Sequence, residues 1–393
     1  MLTLLKNATL FAPEPMGLRH LLVADTRIAA ILGPEDPLPT AWPGLATVDL
    51  GGRRVLPGLV DPLVHMTGGG GEGGFGTRTP ELTLADAVGS GVTTLVGALG
   101  TDALTRTPAS LLGKARELVA GGLTCLAYTG SYQLPAVTLT GSIGSDIVHI
   151  AEFIGVGEIA ISDHRGSQPT VQELARLASE ARTAGMIAGK SGIVFIHTGD
   201  APGGLEILRE VARTTALPLA QFLPTHINRT AQLFEDGLRF AREGGRIDVT
   251  TSTTPELLAA GEVPASEAMA RALHARVDPT RLSMSSDANA SLPHFDKDGR
   301  FLGLAPGRLA SLFEALGECV NDHGIALERA VPLASTHAAD ALGLAAKGRL
   351  AVGQDADLVV LTETGWAIDQ VWSLGRQIHR RPHETAGDSH HGH

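Results

Sequence analysis

Only two cysteines occur in 393 residues, Cys125 and Cys319, and they form no CxxC pair. They do not amount to a disulfide framework, and the expectation is a cytoplasmic protein with reduced thiols. Positive charge is also scarce. Lys and Arg number 31 against 42 Asp and Glu, the formal net charge is −11, and no Lys/Arg block occurs. Such a chain is poorly suited to grip nucleic acid or an anionic membrane surface. No apolar run reaches the roughly 18 residues of a membrane span. The opening MLTLLKNATLF lacks the long apolar core and cleavage site of a signal peptide. Lysine occupies only five positions, 6, 114, 190, 297 and 347. What is plentiful is apolar: 43% hydrophobic residues against 19% charged supports a sizeable core and excludes disorder as the main state.

The two ends share a texture. MLTLLKNATLF, RHLLVADTRIAAIL and GLATVDLGGRRVL near the start, and ADLVVL and QVWSLGRQIH near the finish, read as short strands between turn residues. The middle alternates apolar runs with helical periodicity. The runs are PGLVDPLVHM, GVTTLVGALG, LTCLAYTGSY, VGEIAISDHR, GIVFIHTG, QFLPTHIN, IDVTTS and LSMSSDA. Segments such as TVQELARLASEARTAGM and AQLFEDGLRFAREGG lie between them, with apolar residues at i, i+3, i+4 and a Gly near the end. Strand–helix alternation implies βαβ units and a parallel sheet. Eight such units fit an α/β fold of the (β/α)₈ TIM-barrel type, and a doubly wound sheet is the alternative. The expected organisation is a small β-sandwich from 1–56 plus 346–381, a barrel over 57–345, and a disordered His-rich tail over 382–393.

Polar residues gather at the strand ends, where barrel enzymes keep their chemistry. They are His65, Glu72, Thr101, Tyr132, Glu158, Arg165, His197, His226, Arg229 and Asp287. A single strand-end His is usually an ordinary polar residue. Two at successive strand ends, with Glu158 before them and Asp287 after, form the imidazole and carboxylate set that zinc and similar ions take. GGGGEGG does not read as a phosphate loop, because no GK[ST] and helix follow. His164 and His294 lie in loops near the strand ends, and His383, His390, His391 and His393 in the tail could bind metal only adventitiously.

VLPGLVDPLVHMTGGGGEGGFGTRTPE, GALGTD, TGSYQLP, AISDHRGSQPT, FLPTHINR, SSDANASLPHFD and GRLAVGQDADLVVL run in the order found in the amidohydrolase superfamily. Within it the chain resembles the isoaspartyl (β-aspartyl) dipeptidases nearly end to end. The resemblance implies a metal centre built from an HxH pair, a bridging carboxylated Lys, two further His and an Asp. His65, His197, His226 and Asp287 match. Two positions depart. Leu63 stands where the first His of HxH belongs, and residues i and i+2 of a strand share a face. The nearest acidic residue to the expected Lys is Glu158, and no Lys lies between 114 and 190. Glu158 is shorter by about 3–4 Å, so the ion or the strand must sit closer. The expected metal ligands are therefore His65, Glu158, His197, His226 and Asp287. One Zn²⁺ is expected at Glu158, His197 and His226, with two ions as the other count.

Through the same resemblance, Asp287 is the general base and Tyr132 stabilises the oxyanion. Glu72 takes the substrate's ammonium, and Arg165, Arg229, Thr101 and Ser291 hold the rest. The charge set also makes sense by itself. A β-aspartyl dipeptide carries one ammonium and two carboxylates, and Arg binds carboxylate through a two-pronged, charge-assisted fork. Each Arg could instead be an ordinary salt-bridge partner. The expected function is metal-dependent hydrolysis of small β-aspartyl dipeptides, by a homo-oligomer as in related enzymes. Two other readings stay open: an amidohydrolase acting on another amide such as an N-acyl amino acid, and a metal-poor, non-catalytic barrel that binds an acidic small molecule.

Overall fold

A computed structural model describes residues 1–39, 42–295 and 300–382. The first β-rich segment supplies β1 (Leu2–Phe11), β2 (Pro15–Ala24), β3 (Arg27–Leu32), β4 (Leu45–Asp49) and β5 (Arg54–Pro57). The apolar runs of the middle are β6 (Leu59–Val64), β7 (Val92–Gly97), β8 (Thr124–Thr129), β9 (Phe153–Ile161), β10 (Ile193–Thr198), β11 (Phe222–Thr225), β12 (Ile247–Thr250) and β13 (Leu282–Ser285). A hairpin not anticipated from the sequence follows, β14 (Ser291–Phe295) and β15 (Phe301–Pro306). The chain returns in β16 (Leu358–Leu361), β17 (Ile368–Ser373) and β18 (Arg376–Arg380).

Both ends join one sheet in the order β18-β17-β16-β5-β1-β2-β3, with β4 also on β1. The junction is antiparallel, with Val360 opposite Val55. Leu5, Leu10, Leu21, Val55, Leu358 and Val360 form this sheet's own core, separate from the barrel's. Lys347 ties the two regions: its ammonium reaches Asp357 (2.8 Å), Asp355 (3.0 Å) and Thr124 at the start of β8 (2.7 Å). The tail expected to be disordered lies outside the described residues from 383 onward.

Strands β6 to β11 form a continuous parallel ladder, and β12 pairs parallel with β13. Hydrogen bonds His65 N–Ala288 O (2.8 Å) and Ile227 N–Asp248 O (3.4 Å) carry the chain across the two remaining seams and close the eight-stranded barrel. Helices connect the strands, and several begin where a Thr oxygen accepts a first-turn N–H, as at Thr107, Thr170 and Thr230. Inside, Val60, Leu63, Val96, Tyr128, Phe195 and Leu223 fill the barrel below the polar strand ends. Each such side chain contributes about 1.5–3 kcal/mol by leaving water. The barrel is a packed core rather than a pore, so chemistry is confined to its upper end.

Two fully buried carboxylates clasp the seams. Asp61 on β6 accepts from the backbone N–H of Ser286 (3.1 Å), just past β13. Asp248 on β12 accepts from Thr225 (2.7 Å) at the end of β11 and from Ser283 (2.7 Å) on β13. Burial pushes Asp61 up to about 7 and Asp248 up to about 6.

Candidate active site

The ends of β6 to β13 surround a cavity of about 360 Å³. His65, Glu72, Thr101, Tyr132, Arg165, His197, His226, Arg229, Asp287 and Ser291 all line it. Glu158 lies beneath and is fully buried. The expected residues are thus brought together, and how they meet follows from local chain geometry.

Glu158 reaches the centre because β9 carries one extra residue. Val156 pairs with Val194 but Ile159 pairs with Ile196, so a bulge falls at Gly157–Glu158. A bulge re-aims a side chain without ending the strand. The strand also sits unusually close to β10: a Cβ on Gly157 would lie 2.8 Å from the Phe195 backbone oxygen. Lys190 serves elsewhere. Its ammonium donates to the carbonyls of Ile147, Ile150 and Phe153 at the far end of β10.

Glu158 Oε1 lies 2.9 Å from His197 Nδ1 and 3.1 Å from His226 Nε2. The outer nitrogens are taken: His197 Nε2 faces Asp163 Oδ2 at 2.9 Å, and His226 Nδ1 faces Thr250 Oγ1 at 2.5 Å. With the proton on each outer nitrogen, the inner ones present lone pairs that a cation can take; with it on the inner nitrogens, they donate to Glu158. Burial lowers His226 to about 4. Burial alone would raise Glu158, but hydrogen bonds and charge from His197 and His226, in the second arrangement, outweigh it and hold the carboxyl well below the usual range. Three electron-pair donors, all within 4.8 Å of one another, suit a divalent cation. Glu158 Oε2 is buried without a hydrogen-bond partner, as a ligand atom of an ion would be.

The other half of the centre is thinner. His65 Nε2 lies 3.1 Å from Asp287 Oδ1 and 3.7 Å from Glu158 Oε2. Burial raises Asp287 and the His65 hydrogen bond more than offsets that rise, so the carboxyl lies below its ordinary value. Asp287 and His226 both hold φ between 50° and 65° (52° and 61°), the left-handed region that non-glycine residues rarely enter. Leu63 is fully buried with Val96, Tyr128 and Phe195, and it offers no donor. His65 packs against Gly100, where an added Cβ would lie 2.8 Å from the imidazole Cε1.

Above this centre sits the charged rim. Glu72 Oε1 pairs with Arg165 Nη1 at 3.1 Å, and Thr101 donates to Glu72 Oε2 at 3.1 Å. The Ser291 hydroxyl is 3.5 Å from Glu72 Oε1. Arg229 Nη1 approaches His197 Nε2 at 3.3 Å. The Tyr132 hydroxyl is 2.6 Å from His197 Nδ1, and burial raises its pKa well above the ordinary phenol. His164 (90% exposed) and His294 (55%) stand away from the donor cluster.

Two residues of the site were not anticipated. Asp163, 5% exposed, lies between His197 and Arg165. Arg106 is buried under the Gly-rich loop and donates to the carbonyls of Thr67 (3.0 Å), Gly69 (2.9 Å) and Gly70 (3.0 Å), which anchors the segment bearing Glu72. The signal for Asp163 was present in SDHR, a carboxylate two residues before an Arg at a strand end. Arg106 gave none, because the loop carbonyls it holds lie more than thirty residues away, and its pairing with Asp102 (3.5 Å) reads as an ordinary local ion pair.

A barrel with imidazoles and carboxylates at its strand ends is the architecture of metal-assisted hydrolases, and this chain belongs to the amidohydrolase family, whose model matches residues 54–378. It is 41% identical to the β-aspartyl dipeptidase of Fervidobacterium islandicum AW-1, solved in complex with a β-Asp-Leu dipeptide, with a TM-score of 0.89. That match covers 97% of this chain and 96% of the other, and it puts the chain in the β-aspartyl dipeptidase branch. A more distant relative, imidazolonepropionase of Ruegeria pomeroyi, is 25% identical over 91% of this chain and 93% of its own length. Dihydropyrimidinase of Brevibacillus agri shares the fold at 15% identity and a TM-score of 0.66, covering 97% of this chain and 95% of its own. Among the described residues no helix is long and apolar enough to cross a membrane.

Proposed function

We propose that the chain hydrolyses β-aspartyl dipeptides with one divalent ion, zinc, held by Glu158, His197 and His226. The observation that carries this reading is one cavity with the three-donor cluster at its base and Glu72, Arg165 and Arg229 among its charged lining, beside Asp163, Asp200 and Glu262. Glu72 and the two guanidiniums can meet the one ammonium and two carboxylates of such a dipeptide. When bound, the ion supplies a water of lowered pKa and polarises the scissile carbonyl. Asp287 accepts the water's proton as the new C–O bond forms and passes it to the leaving amine as the C–N bond breaks. The Tyr132 hydroxyl donates to the developing oxyanion. Arg165 and Arg229 bind the carboxylates, Glu72 the ammonium, and Thr101 and Ser291 orient Glu72 and the substrate. His65 holds Asp287. Homo-oligomeric assembly and a cytoplasmic site of action belong to the same proposal and follow from resemblance and the sparse, reduced cysteines.

The test is turnover of three compounds by the zinc-loaded chain: β-Asp-Leu, α-Asp-Leu and N-acetyl-leucine. Rapid hydrolysis of β-Asp-Leu alone is expected. Preference for N-acetyl-leucine would favour the other-amide reading, since that compound has no ammonium for Glu72. Binding of β-Asp-Leu without turnover would favour the non-catalytic barrel.

A further inference from the structure

Asp163 occupies the point where the donor cluster and the substrate rim touch. Its Oδ2 lies 2.9 Å from His197 Nε2 and accepts from Arg165 Nη2 at 2.7 Å. Its Oδ1 accepts from Arg165 Nε at 3.0 Å and from the Arg165 backbone N–H at 2.8 Å. Arg229 Nη1 stands 3.7 Å from Oδ2. One carboxylate thus meets an imidazole from β10 and a guanidinium from the loop after β9, with the guanidinium of the loop after β11 beside it.

The consequence for His197 follows from what surrounds Nε2. Arg165 Nη2 and Arg229 Nη1 are 3.4 and 3.3 Å away, and both can only donate. Without Asp163, Nε2 would face two donors and would best answer with its lone pair. The proton would then move to Nδ1, the atom that faces Glu158. With Asp163 present, Nε2 has an acceptor, keeps its proton, and leaves the Nδ1 lone pair for the ion. A carboxylate behind a ligating imidazole orients the ring and raises its basicity.

The consequence for Arg165 is equally specific. Asp163 takes the Nε and Nη2 edge through two parallel hydrogen bonds, so the guanidinium plane is fixed. The remaining Nη1 is turned toward Glu72 and is the edge that can meet a carboxylate of the substrate.

We infer that Asp163 is a positioning residue that couples ion binding to substrate binding, by setting the His197 tautomer and orienting Arg165 with the same carboxylate. The inference rests on the proposed function for the identity of the ligands. Coupling of this kind is reciprocal: whatever Asp163 contributes to zinc affinity through bound substrate it contributes to substrate affinity through bound zinc.

The experiment uses the full chain and two readouts, zinc affinity by competition with a chromophoric chelator and steady-state kinetics on β-Asp-Leu at saturating zinc. Asp163→Asn keeps the shape but cannot accept at both oxygens. It is expected to weaken zinc binding about 10- to 100-fold, the usual cost of losing such a partner. At saturating zinc, which holds His197 Nδ1 unprotonated and so keeps the Tyr132 hydroxyl beside it in place, it should raise KM by a larger factor than it lowers kcat, because Arg165 is loosened while Asp287 is untouched. Asp163→Glu, which restores the charge, should lie between Asn and wild type in both readouts. Zinc affinity of Asp163→Asn within twofold of wild type would overturn the inference. So would weakened zinc binding with an unchanged KM at saturating zinc, since the two effects would then not share a residue. If the wild-type chain bound zinc but left β-Asp-Leu intact, the functional proposal would fail while the zinc arm still judged Asp163.

Discussion

The two halves of the candidate metal centre differ in how many donors they hold. Around Glu158, three donors converge from adjacent strands, each outer imidazole nitrogen has a partner, and a bulge in β9 delivers the carboxylate. Around Asp287 there is one imidazole, His65, and at the neighbouring inward position a leucine packed among apolar residues. Asp287 Oδ1 has only the His65 imidazole beside it (3.1 Å), and Glu158 Oε2 is buried with no hydrogen bond. In the proposed one-ion mechanism Asp287 is left free to carry a proton.

The most severe way to break the comparison is to strike the stronger half. Glu158→Gln or His226→Ala should leave two donors, too few for a retained catalytic ion, and metal content after dialysis should fall from about one per chain to near zero. Hydrolysis of β-Asp-Leu should vanish with it. By contrast, His65→Ala should retain the ion, because His65 lies outside the Glu158, His197 and His226 cluster. Equal metal loss in the two cases would erase the distinction between the halves.

A smaller effect is expected at the rim. Arg229→Met or Arg165→Met should lower kcat/KM for β-Asp-Leu by about 2–5 kcal/mol of transition-state stabilisation, since a carboxylate loses its charge partner. Metal content should hold for Arg229→Met. Full activity in both variants would remove the basis of the substrate assignment.

Of similar size, but in stability rather than rate, is the pH effect of the seam beneath the thinner half. Asp61 holds the backbone beside Asp287, and burial raises its pKa to about 7 from an unfolded value of 3.8. Between those values the folded chain holds a proton that the unfolded chain has lost. Stability from this group is therefore complete below about pH 4 and is lost as pH rises through 7. Relative to Asp61→Asn, which cannot ionise, wild type should lose about 1 kcal/mol per pH unit across that window in denaturant melts. A pH-independent difference would mean that Asp61 is charged throughout.

Much of this could be read from the chain. The eight apolar runs with polar ends correspond to β6–β13, because a parallel strand buried on both faces is apolar along most of its length and carries most of its polar groups where it leaves the barrel. Leu63 was legible for the same reason: its spacing from His65 placed it inward, and it is inward. What escaped were features made by contacts between distant segments. The bulge at Gly157–Glu158 depends on how β9 registers against β10. Asp163 reads as a loop acid until His197, thirty-four residues later, is seen against it. Asp61 and Asp248 resemble surface carboxylates in sequence, and only closure of the barrel buries them. The β14–β15 hairpin was hidden because SLPHF and FLGLAP lack the alternation that marks a half-buried strand.

Metal counting tests the difference between the halves most directly. Zinc per chain should be measured by elemental analysis on the protein ending at Pro382, which removes the four tail histidines, and on its Leu63→His variant. The account predicts about one ion in the first and, with an imidazole restored beside His65, a rise toward two in the second. Two tightly held ions in the wild-type chain, or no gain of metal on Leu63→His, would contradict it.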